Sequence, residues 1–433
     1  MRSRIHRSAA VLLSLVVLAV GHTLGDPPAA RAETAGPPTA EFRTEPLWVS
    51  TQGVPDDDTC FRLPAVTSTS EGTLLAFAER RNLSCADSGV FDVVMRRSVD
   101  DGRSWSDSEV VLRNAEGARS VGNATVVADS TGPVFLFTTS QPTASTIRPR
   151  TPQVQVSTDD GRTWSAPRDL SEEVKPPTGP EDWYATGPGH GIELTRGPHA
   201  GRLLVPVTYK TENDIQGARI VYSDDHGTTW RSGASVKYQL QDIPLVEPTI
   251  AEDDDGHVTM VARSGPYDDP ETSVSDLVQA VSVDGGLSFV GTDPEDADGD
   301  GFADDDVEAP FAFTRSTAQA PSIHVSLLRH RYERQGFSRL LLAGPARPKI
   351  DNNAKGMFVR SSYDDGRTWQ AWDGSEDPVG VEIDPDHAGY SDMVSTRRGI
   401  GVLYEAGEVR FRDEIRFTSF EESALGMPAE RLG

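Results

Sequence analysis

Apolar residues in this chain come in short runs, cut by Gly, Asp, Asn and Pro. Gly72-Thr-Leu-Leu-Ala-Phe77, Val134-Phe-Leu-Phe137, Arg202-Leu-Leu-Val-Pro-Val207 and Ile400-Gly-Val-Leu-Tyr404 are typical. Such runs are too short for helices and are bounded by turn residues, and helical periodicity is nearly absent. The texture holds from Leu47 to about Leu425. It predicts one all-β domain with no internal linker.

The turns between the runs repeat. Ser-x-Asp-x-Gly-x-x-(Trp/Phe) occurs at Ser98–Trp105, Ser157–Trp164, Ser223–Trp230, Ser282–Phe289 and Ser362–Trp369, with starts 59, 66, 59 and 80 residues apart. A period of this size points to stacked supersecondary units, with a propeller blade as the natural candidate. Asp-Gly is hairpin chemistry, because Gly supplies positive φ and Asp tolerates it. Each box is therefore read as structural, with its Ser and Asp bonding the turn and its aromatic folding back onto its own hairpin. Five boxes plus strands from both ends of the domain predict an all-β, six-bladed β-propeller over residues 46–433.

What precedes that domain has a different texture. Arg-rich residues 2–7, the apolar run Ala9–Val20 and the cleavage-like Ala30-Arg31-Ala32 predict a signal peptide over 1–32. Residues 33–45 read as a mobile leader. The protein is expected to be secreted and extracellular. Its formal net charge is -26, and removing residues 1–32, with four arginines against one aspartate, makes it more negative. That field argues against nucleic acid or an anionic membrane as partner. An anionic substrate must then be captured by a local basic pocket. A monomer is expected.

Two features bear on ions and redox state. Asp296, Asp298 and Asp300, then Gly301, the Phe302 carbonyl and Asp304, match the first half of a calcium loop, although position twelve is Val307. The other reading is a solvated acidic loop. The only cysteines, Cys60 and Cys85, form an even pair expected to be a disulfide in an exported protein, against two buried thiols.

One motif carries chemistry. Phe61-Arg62-Leu63-Pro64 opens a β run with an Arg between apolar residues. It resembles the Phe/Tyr-Arg-Ile-Pro motif of exo-α-sialidases, and the repeats resemble their Asp boxes. The likeness runs from Leu47 to the last strands and includes Gly187-Pro-Gly-His-Gly-Ile192, Gly201-Arg-Leu-Leu-Val205 and Gly389-Tyr-Ser391. It implies a six-bladed propeller that removes terminal sialic acid from glycans or glycoproteins.

The resemblance also assigns roles. Three arginines hold the sugar carboxylate, a task suited to guanidinium because it binds bidentately and stays charged. Arg62 matches the first, and Arg263, sixteen residues after Glu247, the second. Arg347 fits the third by order, with Arg360 as rival. A carboxylate nucleophile would be repelled by the sugar's own carboxylate, whereas a neutral phenol is not, and sialidases use Tyr. Tyr390 matches that nucleophile and Glu247 its base. Asp87 is the acid/base candidate, nine residues before Arg96, with Asp92 as competitor. Glu405 matches the residue orienting the first Arg, and Arg81 is an auxiliary pocket residue or a surface Arg. Trp183 and Tyr184 are candidates for the pocket around C5. No cofactor is required, so any calcium would be structural. Kdn or Kdo glycosides, which share the carboxylate, are alternative substrates. A non-catalytic sialoglycan-binding propeller is the alternative in another class.

Overall fold

The computed structural model describes residues 41–54, 58–82, 84–87, 89–114, 120–141, 149–175, 183–210, 216–237, 246–263, 276–290, 314–319, 323–345, 354–369 and 380–426. The predicted signal peptide, the acidic loop with Asp296, Asp298, Asp300, Phe302 and Asp304, and Arg347 lie outside them.

Strand β1 (Arg43–Val49) is followed by a four-stranded sheet of β2 (Thr59–Ser68), β3 (Leu74–Asn82), β4 (Val90–Ser98) and β5 (Glu109–Leu112). A second sheet contains β6 (Ser120–Ala128), β7 (Val134–Gln141), β8 (Thr151–Ser157) and β9 (Arg168–Asp169). The third contains β10 (Trp183–Ala185), β12 (Ile192–Glu193), β13 (Leu203–Lys210), β14 (Gln216–Ser223) and β15 (Arg231–Lys237), while the intervening β11 (Gly189–His190) joins β6 in parallel. The fourth is β16 (Val246–Glu252), β17 (Val258–Arg263), β18 (Asp276–Ser282) and β19 (Thr314–Gln319). Last comes a seven-stranded sheet: β20 (Ser326–Arg331), β21 (Arg339–Pro345), β22 (Ala354–Ser362), β23 (Val381–Ser395), β24 (Ile400–Gly407), β25 (Glu414–Phe420) and β1.

The chain is all-β and propeller-like, because each sheet buries one face against the sheet before it and the other against the sheet after it. Val66, Leu74 and Val94 of the first sheet pack on Leu403 and Phe417 of the last. Leu75, Phe77 and Met95 pack on Val126 and Leu136 of the second. Further cores join second to third, third to fourth and fourth to last. Two-sided burial explains why these strands read as continuous apolar runs rather than as alternation. The described sheets number five, not six. Within the seven-stranded sheet, Leu341, Met357 and Val359 of β21–β22 pack on Met393, Val402 and Tyr404 of β23–β24, so its two halves face each other.

β1 begins at Arg43, inside the stretch read as leader. It pairs antiparallel with β25, covering an edge that would otherwise be open. Ring closure thus comes from the start of the domain.

The five boxes share one geometry. Ser98 Oγ donates to Asp100 Oδ1 at 2.8 Å and accepts from the Gly102 N–H at 2.9 Å. Asp100 accepts from the N–H and hydroxyl of Ser104 at 2.9 and 2.6 Å. The same set recurs around Asp159, Asp225, Asp284 and Asp364. The aromatic does not fold back on its own hairpin. Trp105 packs edge-on to Phe417, Trp164 to Phe77 and Trp230 to Phe135 and Phe137, each on the preceding sheet. The box glycine faces the same way: a Cβ on Gly102, where φ is +77°, would lie 2.2 Å from the Phe417 ring. Each box is therefore a staple between sheets.

Candidate active site

A cavity of about 210 Å³ receives residues from all five sheets, among them Arg62, Asn123, Lys210, Glu247 and Tyr390. One local device aims several of them. The pairing of β2, β6, β16 and β23 with their neighbours slips between Arg62 and Ala65, Gly122 and Thr125, Val246 and Thr249, and Ala388 and Ser391. In the first three slips a non-glycine residue takes positive φ: Leu63 at 55°, Asn123 at 54° and Glu247 at 54°. That conformation costs about 1–2 kcal/mol for an L-residue. Bulges of this kind re-aim side chains next to functional sites.

Arg62 is buried and its Nε donates to Glu405 Oε1 at 2.5 Å. Burial works against its charge, but Glu405, Tyr390 and Asp87 outweigh that, and the net shift is upward. Glu405 is fully buried and also accepts the Leu63 N–H at 3.0 Å and the Tyr390 N–H at 3.2 Å. It thereby ties the first arginine to the tyrosine strand. Gly389 makes room for it: a Cβ there would lie 2.4 Å from Glu405 Oε2.

Tyr390 donates its hydroxyl to Glu247 Oε1 at 2.5 Å. One nitrogen of Arg263 donates to Glu247 Oε2 at 2.7 Å and to the Tyr390 hydroxyl at 3.1 Å. The Arg62 guanidinium lies 5.5 Å from the Tyr390 ring centre. Burial and the Glu247 charge push the phenol well above its ordinary value, against the pull of Arg263 and Arg62. The resting phenol is neutral and points at a carboxylate.

Asp87 sits on a loop with its side chain 89% exposed. Burial of its surroundings opposes ionisation, but Arg81 at 2.7 Å and Arg62 at 3.6 Å prevail and hold its carboxyl below the usual range. Arg81 is not a surface residue. It is buried, ion-paired with Glu79, and donates to the carbonyls of Cys85 and Ala86 as well as to Asp87. It lines the cavity but organises the loop. A disulfide joins Cys60 to Cys85 with Cα atoms 5.3 Å apart, anchoring the same loop to β2.

The rival residues go elsewhere. Asp92 is buried, paired with Arg80 at 2.5 Å and bonded to the Asn114 N–H, and it does not line the cavity. Arg360 is fully buried, with its guanidinium toward the Gly344 and Pro345 carbonyls, away from the cavity lining. Trp183 lines the cavity, whereas Tyr184, next on β10, points into the core. Sequence reasoning missed Arg150 and Lys210, which place their cationic groups 4.4 and 5.3 Å from the Trp183 ring centre. It also missed Arg412, whose charge acts on Asp87. Lys210 ending an apolar strand, in so acidic a chain, was the available signal.

A family model described as BNR repeat-like domain matches residues 72–298. A sialidase of Micromonospora viridifaciens is 30% identical over 97% of this chain and 60% of its own length. Sialidase-4 of Homo sapiens is 34% identical over 53% of this chain and 50% of its own. This chain thus spans less than two thirds of these relatives. Among solved structures, a Hadza microbial sialidase superposes with a TM-score of 0.64 at 21% identity, covering 84% of this chain and 66% of that one. The intramolecular trans-sialidase from Ruminococcus gnavus gives 0.62 at 16% identity, covering 85% and 96%. At such identities the solved structures speak for the fold. With the family match reaching across more than half of the sequence, the chain belongs to the BNR repeat-like family.

Proposed function

We propose that this protein is an exo-α-sialidase that removes terminal sialic acid from glycoconjugates with retention, through a covalent tyrosyl intermediate. The observation carrying this reading is the neutral Tyr390 hydroxyl 2.5 Å from Glu247, with Arg263 bonded to both and Arg62 alongside. The sialidase relatives support the substrate class.

The sequence of events follows from the charges. Arg62 and Arg263 receive the sugar carboxylate, and Arg347 is the proposed third donor. The phenol proton passes to Glu247 as the tyrosine oxygen bonds the anomeric carbon. The glycosidic bond breaks, and Asp87 gives its proton to the departing oxygen. Asp87 then takes a proton from water, which attacks the anomeric carbon and frees Tyr390, whose oxygen recovers the proton from Glu247. Two inversions give net retention. In the free protein Asp87 is held ionised by Arg81 and Arg62; a substrate carboxylate on Arg62 offsets that pull and favours the acid form.

The finer architecture belongs to the same reading. The seven-stranded sheet is taken as two blades, β20–β22 and β23–β25 with β1, joined through β22 and β23, which makes six. Export is proposed from residues 1–32, and the disulfide suits an oxidising compartment.

The test is turnover of a fluorogenic sialoside, followed by trapping with a 2,3-difluorinated sialic acid and peptide mapping. A label on the peptide carrying Tyr390 is expected. Turnover with a label on Glu247 would sink the tyrosyl route, and absence of turnover would sink the activity.

A further inference from the structure

Behind Tyr390 lies a buried charged node that the reaction scheme does not use. Asp392, two residues further along β23, is 1% exposed. Its Oδ1 contacts His190 Nδ1 at 2.6 Å and accepts from Ser326 Oγ and the Met393 N–H at 3.0 Å each. Its Oδ2 accepts the Val66 N–H at 2.8 Å. These partners lie on β11, β20, β23 and β2, so one carboxylate joins three sheets. Burial opposes the charge on His190, yet Asp392 prevails and raises the histidine's affinity for a proton, and the contact is an ion pair when the ring is protonated. His324 is also buried, with neither ring nitrogen hydrogen-bonded among the described residues, and its ring centre is 5.7 Å from that of Tyr390. None of these groups except Tyr390 lines the cavity.

A buried ion pair is a poor way to stabilise a core, since apolar replacements are often neutral or better; its best-attested use is to fix register. Register is at issue here. The β23–β24 pairing slips between Ala388 and Ser391, so Tyr390 sits on a bulge. A one-residue slip would turn the phenol away from the cavity. The node holds β23 immediately beyond that bulge, and holds it to β2, four residues after Arg62.

We propose that the His190–Asp392 pair is a positioning element for the reaction, pinning β23 so that the Tyr390 hydroxyl stays within reach of Glu247. The proposal rests on reading Tyr390 as the nucleophile. His324 packs beside the Tyr390 ring, and burial lowers its affinity for a proton.

The test compares His190→Gln and Asp392→Asn with Tyr390→Phe on an aryl sialoside, in intact protein, with active sites counted by the fluorinated trap in the variants that keep Tyr390 and rates taken per folded protein in those that do not. Loss of positioning predicts kcat per active site down by about 10- to 100-fold with KM nearly unchanged. Adding either change to Tyr390→Phe should cost its residual rate nothing more, because all act through one group. An unchanged kcat per site, or an additive further loss in the Tyr390→Phe background, overturns the proposal. Should both node variants fail to fold, Ser326→Ala, which removes the Ser326 Oγ bonds to Asp392 and to the Met393 N–H but keeps the His190–Asp392 contact, is read the same way: a lower kcat at constant KM supports, and an unchanged kcat overturns. If Tyr390→Phe retains full activity, the nucleophile reading falls and this proposal with it. If Tyr390→Phe is inactive while the node variants keep full kcat, the nucleophile stands and the proposal alone falls.

Discussion

The Tyr390 hydroxyl donates to Glu247 at 2.5 Å although the two residues are 143 positions apart and on different sheets. Each reaches that point from an irregular strand: Tyr390 from the β23 bulge and Glu247 from positive φ. Removing either partner should therefore impair attack itself. Tyr390→Phe and Glu247→Gln are expected to lose activity on aryl and natural sialosides alike, by about 10²-fold or more for loss of a general base. Steady-state rates on both substrates check this; a defect confined to natural sialosides would contradict it.

Asp87 and Asp92 should separate by leaving group. Asp87 is exposed at the cavity, whereas Asp92 is buried on Arg80. Asp87→Ala should reduce rates on natural sialosides by about 10²–10⁴-fold and much less on an aryl substrate that departs unprotonated. Asp92→Ala should instead lower thermal stability and leave the substrate ratio unchanged. The reverse pattern would reassign the acid.

The disulfide makes a related prediction. It holds Cys85, whose carbonyl also accepts from Arg81, two residues before Asp87. Reduction releases a loop whose closure contributes about 3 kcal/mol in the chain-entropy model. The melting temperature should fall, and the ratio of aryl to natural-substrate rates should rise toward that of Asp87→Ala. Mass analysis of alkylated protein gives the extent of reduction, and a ratio unmoved by full reduction would refute the tether.

Much of this was legible in the sequence because it is local. Ser98, Asp100, Gly102 and Trp105 lie within one turn, so their spacing alone reveals the box. The direction of Trp105 was not legible, since Phe417 is brought to it only by ring closure. The same distinction divides the site. Arg62, Glu247 and Tyr390 stand in recognisable short motifs. Arg81 and Glu79 do not, and their burial follows from three-dimensional packing around the Asp87 loop. The count of sheets was hidden for a similar reason: β22 and β23 pair, so no edge separates the last two units.

The boxes also predict how the fold responds to acid. Hydrogen bonds from Thr163, which outweigh desolvation, hold Asp159 down to about 2. Asp100 reaches about 2 as well: desolvation opposes its ionisation, but bonds from Ser104, Ser98 and Arg103 prevail. Asp225, Asp284 and Asp364 are shifted the same way. In the unfolded chain these carboxyls take up protons near their ordinary value of about 3.8, while in the folded chain Asp100 and Asp159 resist until about 2. Between those values the unfolded state binds more protons, so stability present above pH 4 is lost as the pH falls toward 2. Because each box staples neighbouring sheets, the loss should appear as cooperative unfolding rather than local fraying. Thermal melts from about pH 5 to 2 should show Asp159→Asn less stable than wild type at the upper end and with a shallower decline below pH 4. Parallel curves for the two proteins would mean that the box carboxylates do not set the acid limit.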